Sequence, residues 1–204
     1  MIEDSPPGSR DPGSSDPDGV RTILDDIGIR RALMRIAHEI FERNEDLANV
    51  YLVAIPNGGV PLARLLAGNL RQITDVELTV GILDTTLYRD DFTTGERPML
   101  RITEMPSAVD DRVVILVDDV VKSGRTIRAA MDALMDFGRP KVVQVVGLVD
   151  RGHRELPIKL DYVGKNVPTH SHEVIKLSGD VDGLEIVLLA GGSPGDDLAI
   201  RRAL

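Results

Sequence analysis

Three runs of apolar, mostly β-branched residues constrain the fold of this chain more than any other feature of its sequence. They cover Val50–Ile55, Val113–Val117 and Val142–Val149, and none alternates regularly with polar residues. Such runs are typical of strands that are buried on both faces of a parallel sheet. Segments with helical spacing separate them, so the sequence predicts an α/β fold in which helices flank a parallel sheet.

The segments between and around these runs supply the predicted helices. Apolar residues recur at helical spacing over 26–43, which predicts an amphipathic helix. A second helix is expected to begin at Pro61, and a third to run from about Thr126 to Phe137, before Gly138. Other apolar segments predict further strands, the last three of which are expected to form a small antiparallel hood: Val76–Leu83, Leu160–Val163, Val174–Leu177 and Leu184–Leu189.

The two ends of the chain differ in composition from its centre. Residues 1–20 are dominated by Pro, Gly, Ser and Asp, with five acidic residues against one Arg, which predicts a disordered acidic tail. Residues 191–204 are predicted to form a flexible C-terminal tail. The folded domain is therefore expected to span 21–190, with the hood occupying about 150–190.

Composition also excludes several classes of protein. The 204-residue chain has no Cys, which excludes a disulfide scaffold, a zinc–thiolate site and a thiol nucleophile. No apolar run approaches the roughly 20 residues that a membrane span requires, so we expect no membrane partner and a cytoplasmic location. The net charge of −9 argues against binding nucleic acid by bulk charge. Any RNA binding is therefore expected to be local, shape-specific and salt-sensitive.

The most informative segment is Val113–Ala130, which reads VVILVDDVVKSGRTIRAA. Ligands of open α/β sheets bind at the carboxyl ends of the strands, where the sequence places Asp118 and Asp119. Amide groups of Lys122–Thr126 can form a nest for a phosphate monoester, and Gly124 lets the backbone approach it closely. The carboxylates would repel a phosphate, so they suit sugar hydroxyls or a Mg²⁺ that bridges to a pyrophosphate. A plain strand-to-helix turn with a capping Asp is the alternative that this segment alone leaves open.

This segment resembles the phosphoribosyl-pyrophosphate (PRPP) signature of type I phosphoribosyltransferases. Other parts of the chain narrow the resemblance to the bifunctional pyrimidine-operon regulator/uracil phosphoribosyltransferase family, and the likeness runs from about Ile23 to Ile186. The fold it implies is the type I phosphoribosyltransferase sheet with a small hood. These parts are the first helix (Ile29–Leu33 and Arg35–Ile40), a loop segment (Leu83–Asp91) and two hood strings (Val149–Ile158 and Asp161–Thr169).

The resemblance implies transfer of phosphoribosyl from PRPP to uracil, which gives UMP and pyrophosphate. Mg²⁺ bound with PRPP is the implied cofactor, and no direct protein ligand of the metal is assigned. Asp118 and Asp119 would hold the ribose hydroxyls, and Arg89 would close over the pyrophosphate, so these three are the expected catalytic residues. The resemblance assigns PRPP binding to Asp118, Asp119, Val120, Val121, Lys122, Ser123, Gly124, Arg125 and Thr126.

The sequence departs from the family in the loop expected to bind pyrophosphate. The family usually has Thr-Arg-Gly there, whereas this chain has Asn57, Gly58 and Gly59. The glycines can still offer amide donors, but the charge of the Arg is missing, and charge-assisted hydrogen bonds are about twice as strong as neutral ones. Lys122 replaces a usual aromatic residue, and 170–172 reads His-Ser-His, which we interpret as a surface loop.

The resemblance also implies a base site and an RNA site. The base site is expected in the hood, at Arg151, Val163, Lys165 and Ile175. The RNA partner is a pyr leader mRNA stem-loop, bound in a UMP-dependent way. Candidate RNA contacts are Arg31, Arg35 and His38, which share one face of the first helix at positions i, i+4 and i+7, together with Arg154 and Lys159.

Three interpretations stay open at this point. The chain is an active uracil phosphoribosyltransferase that also regulates pyrimidine genes, a regulator with weak or no catalysis, or a phosphoribosyltransferase for another nucleobase. The altered Asn57–Gly58 loop is the observation behind the second. The Gly58–Gly59 loop is more like that of enzymes for other bases such as purines, but the hood strings argue against the third. We choose the first, bifunctional interpretation. The partners expected on the first interpretation are PRPP, uracil, UMP and the mRNA, in a homodimer or a higher homo-oligomer.

Overall fold

Five parallel strands form the centre of the larger of two units in this chain. The computed structural model describes residues 20–90, 101–170, 173–180 and 183–189. The described residues of 26–171 form one compact unit, and those of 1–25 and 172–204 form the other. The predicted acidic tail, except its last residue, and the predicted C-terminal tail lie outside the described residues, as do positions 171 and 172 of the His-Ser-His string.

Three helices and eight strands make up the regular structure of the described residues, with short 3₁₀ turns at Leu47–Asn49 and Thr86–Tyr88. In chain order they are β1 (Val20–Leu24), α1 (Asp26–Arg43), β2 (Val50–Ala54), α2 (Gly59–Thr74), β3 (Val80–Ile82), β4 (Val113–Val121), α3 (Arg125–Met135), β5 (Val142–Asp150), β6 (Tyr162–Asn166), β7 (Val174–Asp180) and β8 (Gly183–Leu189).

The main sheet confirms the predicted α/β fold. Its strands lie in the order β3-β2-β4-β5-β6, and every neighbouring pair is parallel. Ala54 at the end of β2 pairs with Val117 of β4, which in turn pairs with Val146 of β5. The carboxyl ends of these strands therefore meet at one edge, where the segments that follow β2 and β4 lie side by side.

The apolar residues that recur at helical spacing in the first helix are the ones that the structure buries. α1 has the predicted bounds, and Ile29, Leu33, Ile36 and Ile40 are fully buried. Burial of one such side chain contributes about 1.5–3 kcal/mol relative to leaving it exposed, so this stripe fixes the side of α1 that faces the core.

Two strands of the main sheet differ in length from the prediction. β4 continues to Val121, so Asp118 and Asp119 lie within the strand rather than after it. The reason is that Asp118 is still paired with Gly147 and Val121 with Asp150 in the parallel ladder to β5. β3 is shorter than the predicted segment, because only three of its residues pair with β2.

The strand predicted near Leu160–Val163 is not part of an antiparallel hood, and this prediction was wrong. β6 extends the main sheet instead, parallel to β5, with Val163 opposite Gly147. Leu160 packs against Gly147 in the core, which draws the segment onto the sheet. A short apolar run carries no signal for its direction, so sequence pattern could not distinguish the two arrangements. β7 and β8 do pair antiparallel as predicted, and β1 joins them in the order β1-β8-β7.

A buried polar cluster joins the end of α1 to β5 and β6. The hydroxyl of Tyr162 donates to Oε1 of Gln144 at 2.8 Å, and Nε2 of Gln144 donates to Oδ1 of Asn44 at 3.1 Å. Nδ2 of Asn44 donates to the Ile40 carbonyl at 2.9 Å, which ties the cluster to the last turn of the helix. All three side chains are buried, so each depends on the others for its hydrogen bonds.

Gln144→Leu is expected to lower the free energy of unfolding by about 2 kcal/mol, because it removes the donor to the buried Oδ1 of Asn44 and the acceptor of the buried Tyr162 hydroxyl proton. Urea denaturation measures the loss. Gln72→Leu, at an exposed position of α2, is the matched control and should change stability by no more than about 0.5 kcal/mol. Equal losses in the two variants would show that the cluster contributes nothing specific.

Candidate phosphoribosyl-transfer site

Two carboxylates stand near the end of the central strand β4. Asp118 is 6% exposed, and its Oδ1 accepts a hydrogen bond from the backbone N–H of Asp119 at 3.0 Å. Asp119 is half-buried. One carboxylate is therefore held firmly by the backbone, while the other packs against the neighbouring loop.

The segment after β2 lies directly against β4. A Cβ atom at Gly58 would lie 2.2 Å from Oδ2 of Asp119, and one at Gly59 would lie 2.2 Å from the Val117 carbonyl oxygen. Neither approach is possible for a residue with a side chain unless a neighbour moves. The structure thus brings the predicted pyrophosphate loop and the predicted ribose-binding acids together, with Asn57 exposed beside them.

The segment Lys122–Thr126, which we call the phosphate loop, follows β4 and includes the first two residues of α3. Gly124 has a φ of +89°, a left-handed conformation that favours glycine, and it caps the N-terminus of α3. The Ser123 hydroxyl accepts from the backbone N–H of Arg125 at 3.3 Å. The loop therefore ends at the amide groups of a helix N-terminus, which is a suitable place for an anion.

The segment after β5 supports the phosphate loop from one side. Amides of Glu155 and Leu156 both donate to the Ser123 carbonyl, at 3.0 and 3.2 Å. Nη1 of Arg154 donates to the Lys122 carbonyl at 2.7 Å. The family resemblance predicts Arg154 as an RNA contact, whereas its guanidinium contacts the phosphate loop.

The predicted loop arginine contacts the helix end of the phosphate loop. Nη1 of Arg89 donates to the Thr126 hydroxyl at 3.0 Å. Its neighbour Asp90 bridges two arginines of α3, at 3.1 Å to Arg125 and 3.5 Å to Arg128. These contacts join the predicted loop segment to the first turn of α3, so Arg89 lies beside the phosphate loop.

The electrostatic surroundings of Asp90 favour its charged form. Desolvation, the largest single influence, raises the pKa of Asp90, but the hydrogen bond from Arg125 and the charges of both arginines outweigh it. The pKa therefore lies below the usual value for Asp. Because the folded pKa is lowered, the attraction is present at neutral pH and is lost as the pH falls through that lowered pKa.

The predicted base residues lie on three different segments of the chain. Arg151 is only 3% exposed, and its Nε donates to the Thr169 hydroxyl at 3.2 Å. Val163 and Lys165 lie on β6, where Val163 is half-buried and Lys165 is exposed. Ile175 belongs to β7, in the smaller unit.

The RNA candidates of α1 lie on its exposed face. Arg31, Arg35 and His38 are all exposed, as their spacing predicts. Nη2 of Arg35 donates to the carbonyls of Val163 and Gly164 on the edge strand β6, at 2.8 Å each. Arg35 thus ties the helix to the strand, while Arg31 and His38 face outward on either side of it. Lys159 is also exposed.

Sequence reasoning missed the residues that support the phosphate loop through side chains of other elements. Asp90 and Glu155 both pair with Arg125, although they are 35 and 30 residues away from it. Both occur in strings that carry the family resemblance, which was the only available signal. No periodicity links positions this far apart, because their proximity depends on how the loops fold back on α3.

The residues present fit a Mg²⁺ that is carried by a pyrophosphate better than a resident metal. Among the described residues, no group of three or more His, Cys, Asp or Glu side chains could hold a metal ion by itself. Asp118 and Asp119 supply the hard oxygen donors that Mg²⁺ prefers, and the ion usually completes its shell with water and substrate phosphates.

Within the described parts of the chain, no helix combines the length and apolar character needed to cross a bilayer.

Comparison with known proteins agrees with this arrangement. The family model for the phosphoribosyl transferase domain matches residues 19–181. The bifunctional protein PyrR of Pelotomaculum thermopropionicum is 56% identical over 169 residues, which cover 82% of this chain and 93% of that protein. The bifunctional protein PyrR of Deinococcus radiodurans is 54% identical over 170 residues, which cover 82% of this chain and 93% of the relative.

Solved structures with low sequence identity share the fold. A hypoxanthine phosphoribosyl transferase of Trypanosoma cruzi aligns with a TM-score of 0.64 and 19% identity, over 90% of this chain and 96% of that chain. A hypoxanthine phosphoribosyltransferase of Staphylococcus aureus aligns with a TM-score of 0.60 and 18% identity, over 76% of this chain and 80% of that chain. With the domain match and the close relatives, the chain belongs to the PyrR family of bifunctional proteins, within the type I phosphoribosyltransferases.

Proposed function

We propose that this chain is a uracil phosphoribosyltransferase that also regulates pyrimidine genes by binding a pyr leader mRNA stem-loop in a UMP-dependent way. The observation that carries the enzymatic part is the meeting of three elements at one edge of the sheet. These are the carboxylates of Asp118 and Asp119, the glycine loop at Gly58 and the phosphate loop. Membership of the family supports both parts.

The reaction breaks the bond between ribose C1 and the pyrophosphate oxygen and forms a bond from C1 to a ring nitrogen of uracil, which loses its proton. Positive charge develops on the ribose in between. Asp118 and Asp119 stabilise that charge and hold the ribose hydroxyls, while the phosphate loop holds the 5′-phosphate on its amides. Catalysis is then mainly positioning and electrostatic stabilisation.

The pyrophosphate end relies on fewer charges than is usual in the family. Amides of the loop Asn57–Gly59 act as donors. Arg89, whose side chain contacts Thr126 of the phosphate loop in this structure, would supply the cation by turning toward the pyrophosphate. Asp118 and Asp119 would face a Mg²⁺ bound with PRPP, and such an ion would neutralise part of the pyrophosphate charge. Within the larger unit, base binding is proposed for Arg151, Val163 and Lys165.

The test of the enzyme is UMP formation from uracil and PRPP with Mg²⁺ present, with hypoxanthine and guanine offered as competing bases. We expect product from uracil alone. No UMP under conditions in which a control enzyme is active would leave only the regulatory function. Nucleotide formed from hypoxanthine or guanine would show that the base substrate is a purine and not uracil.

The RNA surface that we propose contains the exposed cations of α1 and of the segment before β6. Arg31 and His38 face outward beside Arg35, which is bound to β6. Lys159 is exposed after β5, and Arg154 contributes a partly buried guanidinium. Local cationic surfaces of this kind bind RNA loops through phosphates and shape, which agrees with the acidic net charge of the whole chain.

Arg31→Ala is expected to weaken UMP-dependent binding to a leader stem-loop by about fivefold and to lower the salt slope of binding by about one unit, as the loss of one phosphate contact should. Filter binding at several salt concentrations, with and without UMP, measures both quantities. Arg64→Ala, at an exposed site on α2, is the matched control. An affinity for the stem-loop that changes neither with UMP nor in Arg31→Ala would contradict the proposed RNA surface.

A homodimer or higher homo-oligomer in the cytoplasm is part of the same proposal. It rests on the family resemblance. Sedimentation equilibrium of the purified chain, with and without UMP, decides the oligomeric state.

A further inference from the structure

The geometry points to a role for Arg154 that is separate from RNA binding: it is a positioning residue that aims the backbone amides of the phosphate loop. This inference rests on the proposed function, because it takes the phosphate loop to be the site of the 5′-phosphate. The observation behind it is that three successive carbonyls of the chain are held on one side by the segment 151–156.

Arg154 provides the side-chain part of this support. Nη1 donates to the carbonyls of Val121 at 3.3 Å and Lys122 at 2.7 Å. Nε donates to the Ile158 carbonyl at 3.0 Å, and Nη2 pairs with the carboxylate of Asp150 at 2.8 Å. All three nitrogens of the guanidinium are therefore engaged within the protein, and the side chain is only 22% exposed.

Backbone groups complete the support. The amide of Arg151 also donates to the Val121 carbonyl, at 3.1 Å. The Ser123 carbonyl accepts from the amides of Glu155 and Leu156, at 3.0 and 3.2 Å. The carbonyls of three consecutive residues, beginning at Val121, thus all point toward the segment 151–156.

A planar trans peptide directs its N–H opposite to its C=O. Fixing the carbonyls of Val121, Lys122 and Ser123 on one side therefore turns the next N–H groups, those of Lys122, Ser123 and Gly124, to the other side. Successive N–H groups that point the same way form an anion-binding nest. Arg154 holds two of the three peptide units, so the orientation of the nest depends on its guanidinium.

The ion pair with Asp150 fixes the guanidinium itself. Asp150 is the last residue of β5, and its own Oδ1 accepts from the Gly152 amide at 2.9 Å. The chain of contacts thus runs from the rigid sheet through Asp150 and Arg154 to the phosphate loop. Lysine has one nitrogen and cannot reproduce the fork of contacts, so Arg154→Lys is expected to support the loop only in part.

The test measures ligand binding to the full chain in the absence of RNA, where a residue that only contacts RNA should have no effect. For Arg154→Ala we expect the Kd for UMP and the KM for PRPP to rise about tenfold, with an intermediate rise for Arg154→Lys. The KM for uracil, measured at saturating PRPP, should stay within about twofold, because uracil carries no phosphate. A general loss of structure would raise all three quantities. Calorimetry gives the Kd, and initial rates give the KM values.

Arg64→Ala on α2 is the matched control, since it also removes one arginine but from an exposed position. Thermal melting checks that the variants fold. If Arg154→Ala does not fold, the constants of Arg154→Lys decide the outcome. Unchanged UMP and PRPP constants in a folded Arg154 variant would overturn the inference and leave the proposed function standing. Failure of the unmodified chain to bind UMP at all would overturn the nucleotide site of the proposed function, and the inference with it.

Discussion

Asp118→Asn is expected to lower the turnover number for UMP formation by roughly 10²–10³-fold, the usual loss when one electrostatic partner of a transition state is removed. Asn has nearly the same shape as Asp but no charge, so it cannot stabilise the positive charge that develops on the ribose. Its Oδ1 can still accept the hydrogen bond from the Asp119 amide. The change therefore removes charge and leaves the local structure of β4 intact.

The effect should appear mainly in turnover, because the developing charge exists only in the transition state. Initial rates over a range of PRPP concentrations separate turnover from KM. Asp75→Asn is the matched control: it replaces an exposed Asp in a left-handed conformation at the end of α2, which Asn adopts readily. A turnover number within about threefold of the unmodified enzyme would show that Asp118 does not face the reacting ribose.

The parts of this site that could be predicted from sequence are those in which local pattern and function coincide. The run of apolar residues before Asp118 predicts a buried strand, and Gly124 followed by Thr126 predicts the helix start. Together they place the acids and the phosphate loop at one edge of a parallel sheet. This much follows from strand order and from the amide groups at a helix N-terminus, without any contact between distant residues.

The parts that could not be predicted depend on contacts between distant segments. The direction of β6 is one example, because a short apolar strand fits either a parallel or an antiparallel neighbour. The contacts of Arg154 are another: the family resemblance predicts an RNA contact, whereas its guanidinium is held by the carbonyls of Val121 and Lys122. Such hydrogen bonds arise only once the segment after β5 folds over the end of β4.

The second large effect concerns the missing charge in the pyrophosphate loop. Sequence alone suggests that Gly58→Arg would restore the family pattern and raise activity. The structure predicts the opposite: a Cβ at this position would lie 2.2 Å from Oδ2 of Asp119, so the carboxylate must move. Displacement of a reacting group by about 1 Å can cost roughly 10²-fold, and we expect turnover to fall by at least about tenfold.

Asn57→Arg is the variant that should add the charge without displacing Asp119. Asn57 is exposed and adjacent to Gly58, so a guanidinium there can reach the pyrophosphate while the close approach of Gly58 to Asp119 is kept. We expect the KM for PRPP to fall by about threefold to tenfold, since a charge-assisted contact replaces a neutral one. Turnover should change little.

Gly68→Arg completes the comparison, because no atom lies within 4 Å of a Cβ at this exposed position of α2. It makes the same substitution as Gly58→Arg where there is room for the side chain, and activity should be retained. Higher activity in Gly58→Arg would mean that the loop can move away from β4 and that charge alone limits the enzyme. Lower activity in Gly58→Arg, together with a lower KM in Asn57→Arg, would mean that the glycine is needed for the position of Asp119. In that case Gly58 alone accounts for two features: the chain lacks the family arginine at this position, and the loop packs closely on Asp119.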